Sequence, residues 1–266
     1  MTNVASEPLL SCADLSVSVP GRSLVAGLQF ELRRGELLAV LGQNGAGKTL
    51  SLLTLAGLRE AQSGQVRIGG SDLRTLARGD IARQLALLPQ DVEDIFPATV
   101  MDTALIGRHP HIDRLRWESA DDHAIAAGAL QMMGLSALAQ RDVLTLSGGE
   151  RRRLAIAQVL TQRPDIYLLD EPSNHLDPQH QLDAMRIFRQ AADDGAGVIA
   201  SLHDINLAVR FSDRCLLLFG DGRWQLGDCA EILTEQSLSE LFATPMEAIQ
   251  WRSHELFIAS SGNPAL

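Results

Sequence analysis

Gly42-Gln43-Asn44-Gly45-Ala46-Gly47-Lys48-Thr49 stands between an apolar run, Glu36-Leu37-Leu38-Ala39-Val40-Leu41, and a second run, Leu50 to Leu58, whose apolar spacing suits a helix. The first run has the length and composition of a buried strand. A strand therefore feeds a glycine-rich turn into a helix start, and that arrangement makes a phosphate cradle. Gly42, Gly45 and Gly47 permit backbone angles that larger residues resist, so successive N–H groups, those of Asn44 and Ala46 included, can point at an anion. The helix beginning near Lys48 adds its positive dipole end. Lys48 can reach terminal phosphates, and the Thr49 hydroxyl is placed to ligate a magnesium ion held between them.

A second apolar strand, Ile166-Tyr167-Leu168-Leu169, ends in two acids, Asp170 and Glu171. A buried strand can end in one acid by chance; two adjacent acids downstream of a phosphate loop are more informative. Asp170 is expected beside the magnesium, through its water shell. Glu171, pointing elsewhere, is expected to orient and deprotonate the water that attacks a γ-phosphate. The competing reading makes Glu171 a helix-capping or solvated acid.

Leu146-Ser147-Gly148-Gly149-Glu150 precedes a helix, and on its residues alone it is a second phosphate-binding helix start with a hydroxyl and bare N–H groups. LSGGE upstream of an LLDEP strand resembles the signature of the ATP-binding cassette ATPases. The resemblance covers nearly the whole chain and implies ATP and Mg2+ as cofactors. It implies a homodimer in which two chains face head to tail, each ATP lying between the cradle of one and Ser147, Gly148 and Gly149 of the other. It further implies that Gln90 touches magnesium and the attacking water, that Asp177 lies at the dimer seam, and that His203 contacts the γ-phosphate. One departure is visible: the family's usual adenine-stacking aromatic aligns with Val19, so base selectivity is open, with ATP the default and GTP the alternative.

The fold expected is α/β: a P-loop NTPase (RecA-like) core with an antiparallel β subdomain and an inserted α-helical subdomain. Residues 1–266 are read as one domain, with 1–88 and 163–266 as the core and 89–162 as the helical insert. Leu10 to Val19 and Leu24 to Leu32 read as strands joined by Pro20-Gly21-Arg22, and Gln65 to Ile68 and Leu85 to Leu88 as further strands. Asp91 to Thr99 reads as a loop. Val100 to Arg163 reads as helices, strongest at Asp121 to Met133 and Arg151 to Gln162. Strands at Asp165 to Asp170, Gly197 to Leu202 and Arg214 to Phe219 alternate with helices at Pro178 to Ala192 and Asn206 to Phe211, which implies a mainly parallel sheet. The tail from Gly222 is expected to hold a hairpin, short helices at Cys229 to Leu233 and Ser237 to Phe242, and a last strand at Glu255 to Ala259.

Composition narrows the function classes. With 23 basic against 33 acidic residues the net charge is −10, the wrong sign for a nucleic-acid tracker, so no nucleic-acid partner is expected. Cys12, Cys215 and Cys229 have none of the paired spacings of zinc or redox sites and are expected to be reduced, buried thiols. His109 and His111 flank Pro110 without a carboxylate in helical frame, and a metal pair there is disfavoured. The start, MTNVASEPLL, lacks the basic and apolar parts of a secretory leader, and no apolar run approaches the ~20 residues that span a bilayer. Work at a membrane would need another chain to hold this one there.

Phe96-Pro97-Ala98-Thr99-Val100, Gly107-Arg108-His109-Pro110-His111 and Asn174-His175-Leu176-Asp177 resemble the ATPase subunits of bacterial importers for iron-siderophores, haem and vitamin B12. That implies a transmembrane permease dimer as partner, a periplasmic substrate-binding protein acting indirectly, and a peripheral place on the cytoplasmic face of the inner membrane. Asp91 to Arg108 is expected to form part of the surface that receives the permease. The slight lean is to a corrinoid cargo. The alternatives are a soluble cassette ATPase and an exporter subunit.

Overall fold

The computed structural model describes residues 7–91, 97–113, 116–252 and 254–260. The chain opens with an antiparallel pair, β1 (Leu10–Val19) and β2 (Arg22–Leu32), turning at Pro20-Gly21 with Gly21 at φ 77°. β3 (Leu37–Leu41) runs through the glycine loop into α1 (Lys48–Leu55). β4 (Ser63–Ile68) returns to the other side of β1, and β5 (Ser71–Asp72) completes a four-stranded antiparallel sheet ordered β2-β1-β4-β5. α2 (Arg78–Gln84) then leads into β6 (Leu85–Leu88).

Helices follow: α3 (Val100–Leu105), a 3-10 stretch at Ile106–His111, α4 (Ala120–Met132) and α5 (Gly148–Gln162). Thr99, Ser119 and Ser147 start the three α-helices with capping boxes, each hydroxyl accepting from the third residue's N–H while that residue's carboxylate accepts from the cap's own N–H. Arg108 is largely buried and donates to Asp122 Oδ1 (2.8 Å) and to the Thr161 carbonyl (3.2 Å), which ties the 3-10 stretch to α4 and α5.

Strand and helix then alternate through β7 (Ile166–Asp170), α6 (Pro178–Asp193), β8 (Gly197–Ser201), α7 (Ile205–Phe211) and β9 (Arg214–Leu218), and β10 (Trp224–Asp228) folds back on β9. The six-stranded sheet has the order β10-β9-β3-β8-β7-β6, parallel except for β10. After α8 (Cys229–Ile232) and α9 (Glu235–Phe242), a hairpin of β11 (Met246–Trp251) and β12 (His254–Ala259) docks on α7. Asn206 makes that joint, donating to the Phe257 carbonyl (3.1 Å) and accepting from its N–H (2.9 Å).

The unbroken apolar strands follow from burial on both faces of this sheet. Leu37, Ala39 and Leu41 of β3 point into a core shared with α3 to α7, whereas Leu38 and Val40 point into one shared with α1 and the antiparallel sheet. Tyr167 and Leu169 against Ile166 and Leu168 repeat the alternation on β7.

Several boundaries moved. The first helix begins at Lys48, as expected, but ends by Leu55 rather than running to Leu58. The helix expected from Arg151 starts at Gly148, because the Ser147 cap sets its origin. The helical region is not continuous: a 3-10 stretch holds Gly107 against α5, where a Cβ would lie 2.3 Å from the Gln158 carbonyl oxygen. Arg108, assigned to the permease-facing surface, is turned inward. The remainder of that surface and the loop from Asp91 fall partly on residues 92–96, which lie outside the described residues. All three cysteines are free and buried, and burial pushes the Cys12 thiol up to about 12.

Candidate nucleotide-binding site

Strand order assembles the site. β8 lies between β3, which carries the glycine loop, and β7, which carries Asp170 and Glu171, so the carboxyl ends of three parallel strands converge. Open α/β sheets bind ligands at such ends. There the chain encloses a cavity of about 620 Å³ whose lining includes Asn44, Gly45, Gly47, Lys48, Thr49, Gln90, Glu171 and His203.

The loop has the shape of an anion cradle. Gly45 (φ 76°) and Gly47 (φ 103°) occupy the left-handed region, and a Cβ on Gly42 would lie 2.6 Å from the Leu218 carbonyl oxygen. Gly42 and Ala46 are buried beneath the loop, where they set its path, and neither lines the cavity. Lys48 is buried, with Nζ donating to the carbonyl oxygens of Gly42 (2.8 Å) and Gln43 (3.4 Å). Burial lowers its pKa from the ordinary lysine value, and the nearby Glu171 and Asp170 carboxylates oppose that shift. An ammonium held this way is ready to exchange loop carbonyls for phosphate oxygens.

The acids at the end of β7 have separate surroundings. Asp170 Oδ1 accepts from Ser201 Oγ (2.6 Å), and the same Oγ accepts from the Glu171 N–H (2.9 Å). Glu171 sits at φ 51°, a left-handed angle that a non-glycine side chain rarely adopts. Its carboxylate is gripped from both sides: Oε1 lies 2.5 Å from His203 Nε2, and Oε2 accepts from Asn174 Nδ2. The acid is thus held by partners, so the capping and solvated readings do not describe it.

Thr49, Gln90 and Asp170 offer only oxygen donors, a hydroxyl, an amide and a carboxylate, which is the set a hard cation such as Mg2+ prefers. Among the described residues no three His, Cys, Asp or Glu side chains group as a metal centre, so phosphate oxygens and water would have to complete the shell.

The second phosphate element lies elsewhere. Ser147 and Gly148 are exposed at the tip of α5, and Ser147, Gly148 and Gly149 do not line the cavity. The N–H groups there are not all bare as expected: that of Glu150 donates to the Ser147 hydroxyl oxygen (3.3 Å), and that of Ser147 donates to Glu150 Oε2 (2.7 Å). Those bonds hold the Glu150 carboxyl below the usual range. Asp177 caps α6, its carboxylate accepting from the His180 N–H (2.9 Å) and lying 2.8 Å from His180 Nδ1. His111 Nε2 is 2.8 Å from the Gln162 carbonyl oxygen.

Sequence reasoning missed two residues. Ser201 had a faint signal, a hydroxyl at the end of a strand two positions before His203. Arg152 had none, being the middle of three arginines on a helix. Its guanidinium is buried and donates through Nη1 to the carbonyl oxygens of Pro89 (2.6 Å) and Gln90 (3.1 Å), and through Nη2 to those of Asp170 and Glu171 (2.7 Å each).

Fold and site together define a P-loop nucleoside-triphosphatase in which a glycine cradle faces an acid at the end of a parallel strand. Comparison with known proteins gives the family. The ABC transporter family profile matches residues 25–174. The hemin import ATP-binding protein HmuV of Deinococcus radiodurans is 44% identical over 219 residues, covering 80% of this chain and 82% of that protein. The cobalamin import ATP-binding protein BtuD of Halobacterium salinarum is 35% identical over 235 residues, covering 88% of this chain but 58% of that longer protein. An inward-facing structure described as a metal-chelate type ABC transporter superposes with TM-score 0.83 at 28% identity, covering 96% of this chain and 98% of that one. The chain belongs to the ABC transporter family and is an ATP-binding subunit of the kind that hydrolyses ATP in transport.

Proposed function

We propose that this chain is the ATPase subunit of a bacterial importer for a metal chelate: haem, vitamin B12 or another corrinoid, or an iron-siderophore. It works as a homodimer under a transmembrane permease dimer on the cytoplasmic face of the inner membrane, with a periplasmic substrate-binding protein delivering the cargo. Among the described residues no helix is long and apolar enough to cross a membrane, which suits a subunit held by its partner. The Deinococcus relative is named for hemin at 44% identity and the Halobacterium relative for cobalamin at 35%, so haem now precedes corrinoid as cargo.

In this reading residues 1–88 and 163–266 are the nucleotide-binding core and 89–162 the signature subdomain of one domain. The observation that carries the catalytic half is the single cavity in which Lys48, Thr49, Gln90, Glu171 and His203 meet. ATP phosphates displace the Gly42 and Gln43 carbonyls from Lys48 Nζ and accept from the loop N–H groups of Asn44 to Lys48. Thr49, Gln90 and Asp170 would hold Mg2+, which when bound would neutralise the charge that develops on the phosphates. Glu171 takes the proton of the attacking water, and His203 leaves Glu171 for the γ-phosphate. Ser147, Gly148 and Gly149 of the second copy close over that phosphate, with Asp177 at the seam. Closure moves the permease, and hydrolysis reopens the dimer.

The test is uptake by proteoliposomes holding the chain with its copurifying permease, supplied with binding protein and, in turn, ferric haem, cyanocobalamin and a ferric siderophore. ATP-dependent accumulation of one of them is expected. Copurification with a permease that moves cargo outward, or accumulation of none of the three, would overturn the import reading.

A further inference from the structure

We infer that Arg152 is a positioning residue that locks the Gln90 loop to the backbone of Asp170 and Glu171, so that any shift of α5 reaches the catalytic carboxylate directly. The inference rests on the reading of Glu171 as the general base. Of three successive arginines, Arg151 donates to the Leu146 and Leu144 carbonyls and Arg153 to that of Met133, all within the helical region. Arg152 reaches the strand ends of the sheet. It is 4% exposed, and its two terminal nitrogens divide four carbonyl oxygens between two loops, those of Pro89 and Gln90 on one side and those of Asp170 and Glu171 on the other.

Desolvating a guanidinium is costly, and here the Asp170, Glu171 and Asp91 charges and the four carbonyls offset that cost together. Among the described residues its Nε has no hydrogen-bond partner, and the bonds of its terminal nitrogens all go to the four carbonyls. Only a planar fork can hold two acceptors on each end, and a lysine ammonium cannot reproduce the span.

Arg152 lies five residues from Ser147 on one rigid helix, about 7.5 Å along its axis at the usual rise. Whatever docks on the α5 tip therefore moves the clamp, and the clamp sets the left-handed turn at Glu171. The proposed route needs no change in the nucleotide cradle, because Arg152 does not line the cavity.

The experiment compares Arg152→Ala, Arg152→Gln and Arg152→Lys with the parent by ATP turnover, by binding of a fluorescent ATP analogue and by thermal unfolding. In folded variants kcat is expected to fall about 10- to 100-fold, the scale of a misplaced catalytic group, with analogue affinity changed less than about threefold. Arg152→Lys restores less than half of the loss. In a Glu171→Gln background, single-turnover hydrolysis drops by less than about threefold further, because Arg152 acts through Glu171. Unchanged kcat, a loss that appears in affinity instead, a fully additive loss in the Glu171→Gln background, or failure of all three variants to fold would overturn the inference. Near-normal hydrolysis by Glu171→Gln alone would remove the base assignment and is read separately.

Discussion

His203 Nε2 lies 2.5 Å from Glu171 Oε1, a pairing that joins the second residue after β8 to the residue after β7 across neighbouring strands. An ionised carboxylate can only accept, so beside it the proton sits on Nε2 and sets the tautomer of a neutral ring. Asn174 holds the other carboxylate oxygen. With both oxygens engaged, the Glu171 carboxylate is held in one orientation.

Glu171→Gln keeps the shape and the Asn174 neighbour but cannot take a proton. We expect turnover to fall by about 10²- to 10⁴-fold, the usual contribution of a general base, while ATP binding persists and the dimer accumulates closed. Phosphate release and size-exclusion chromatography with ATP check this. Near-normal hydrolysis would exclude Glu171 as the base.

Lys48→Ala should act on binding instead. The buried Nζ is held by two loop carbonyls, so its removal opens the cradle without touching the core. Loss of one charge-assisted contact of about 1.5–3 kcal/mol predicts ATP affinity weaker by roughly 10- to 150-fold. Because burial lowers the Lys48 pKa, affinity in the parent should also fall as pH rises towards the lysine range, and earlier than for an exposed lysine. A flat alkaline profile, or an unchanged dissociation constant in the variant, contradicts this.

Ser201→Ala removes the hydroxyl that serves both acids of β7. It strands the Glu171 N–H and Asp170 Oδ1 in a fully buried place, which costs about 1–3 kcal/mol of stability. Denaturant unfolding should register that loss, and kcat should fall in the same variant because the turn at Glu171 loses its anchor. A destabilised protein with full kcat would show that the anchor is structural only.

Asp122 gives a pH test. The Ser119 hydroxyl, then the Arg108 guanidinium, hold its carboxyl well below the usual range. A depressed folded pKa contributes stability above the unfolded value and loses it as pH falls below. Asp122→Asn should therefore cost about 1–2 kcal/mol at neutral pH, and the difference from the parent should shrink below about pH 4. A difference that stays constant into acid would mean the charge plays no part.

Much of the site was legible because its chemistry is local. The glycines of the cradle, the paired acids and the LSGGE cap each announce themselves within eight residues. Their meeting was not legible, since it depends on β8 lying between β3 and β7, and only that order brings Ser201 and His203 to the acids. Arg152 was invisible for a related reason: which arginine of three turns inward is decided by packing. α2 and β11 were missed because Arg78–Gln84 is short with one buried apolar residue, Ile81, and Met246–Trp251 is paired only with its hairpin partner. The hairpin Leu10 to Leu32 was plain, as its turn residues and alternation agree.

The base-binding side offers the last test. Val19 ends β1 opposite Arg22, and both line the cavity beside the glycine loop. Arg22 Nε is committed to the Gly220 carbonyl at 2.9 Å, and Val19, with Leu24 and Leu50, gives the cavity its apolar lining. A branched aliphatic group gives a base contact area but no ring face. Val19→Tyr should add stacking worth about 1–3 kcal/mol, so nucleotide should bind roughly 5- to 150-fold tighter. Stacking tolerates any base, so ATP and GTP should gain alike, and the ratio between them should change little. Inorganic tripolyphosphate, which has no base, should bind the variant and the parent equally. Calorimetric titration of the three ligands separates these effects: a gain for tripolyphosphate would place the change at the cradle, and no gain for either nucleotide would mean that the base does not rest against residue 19.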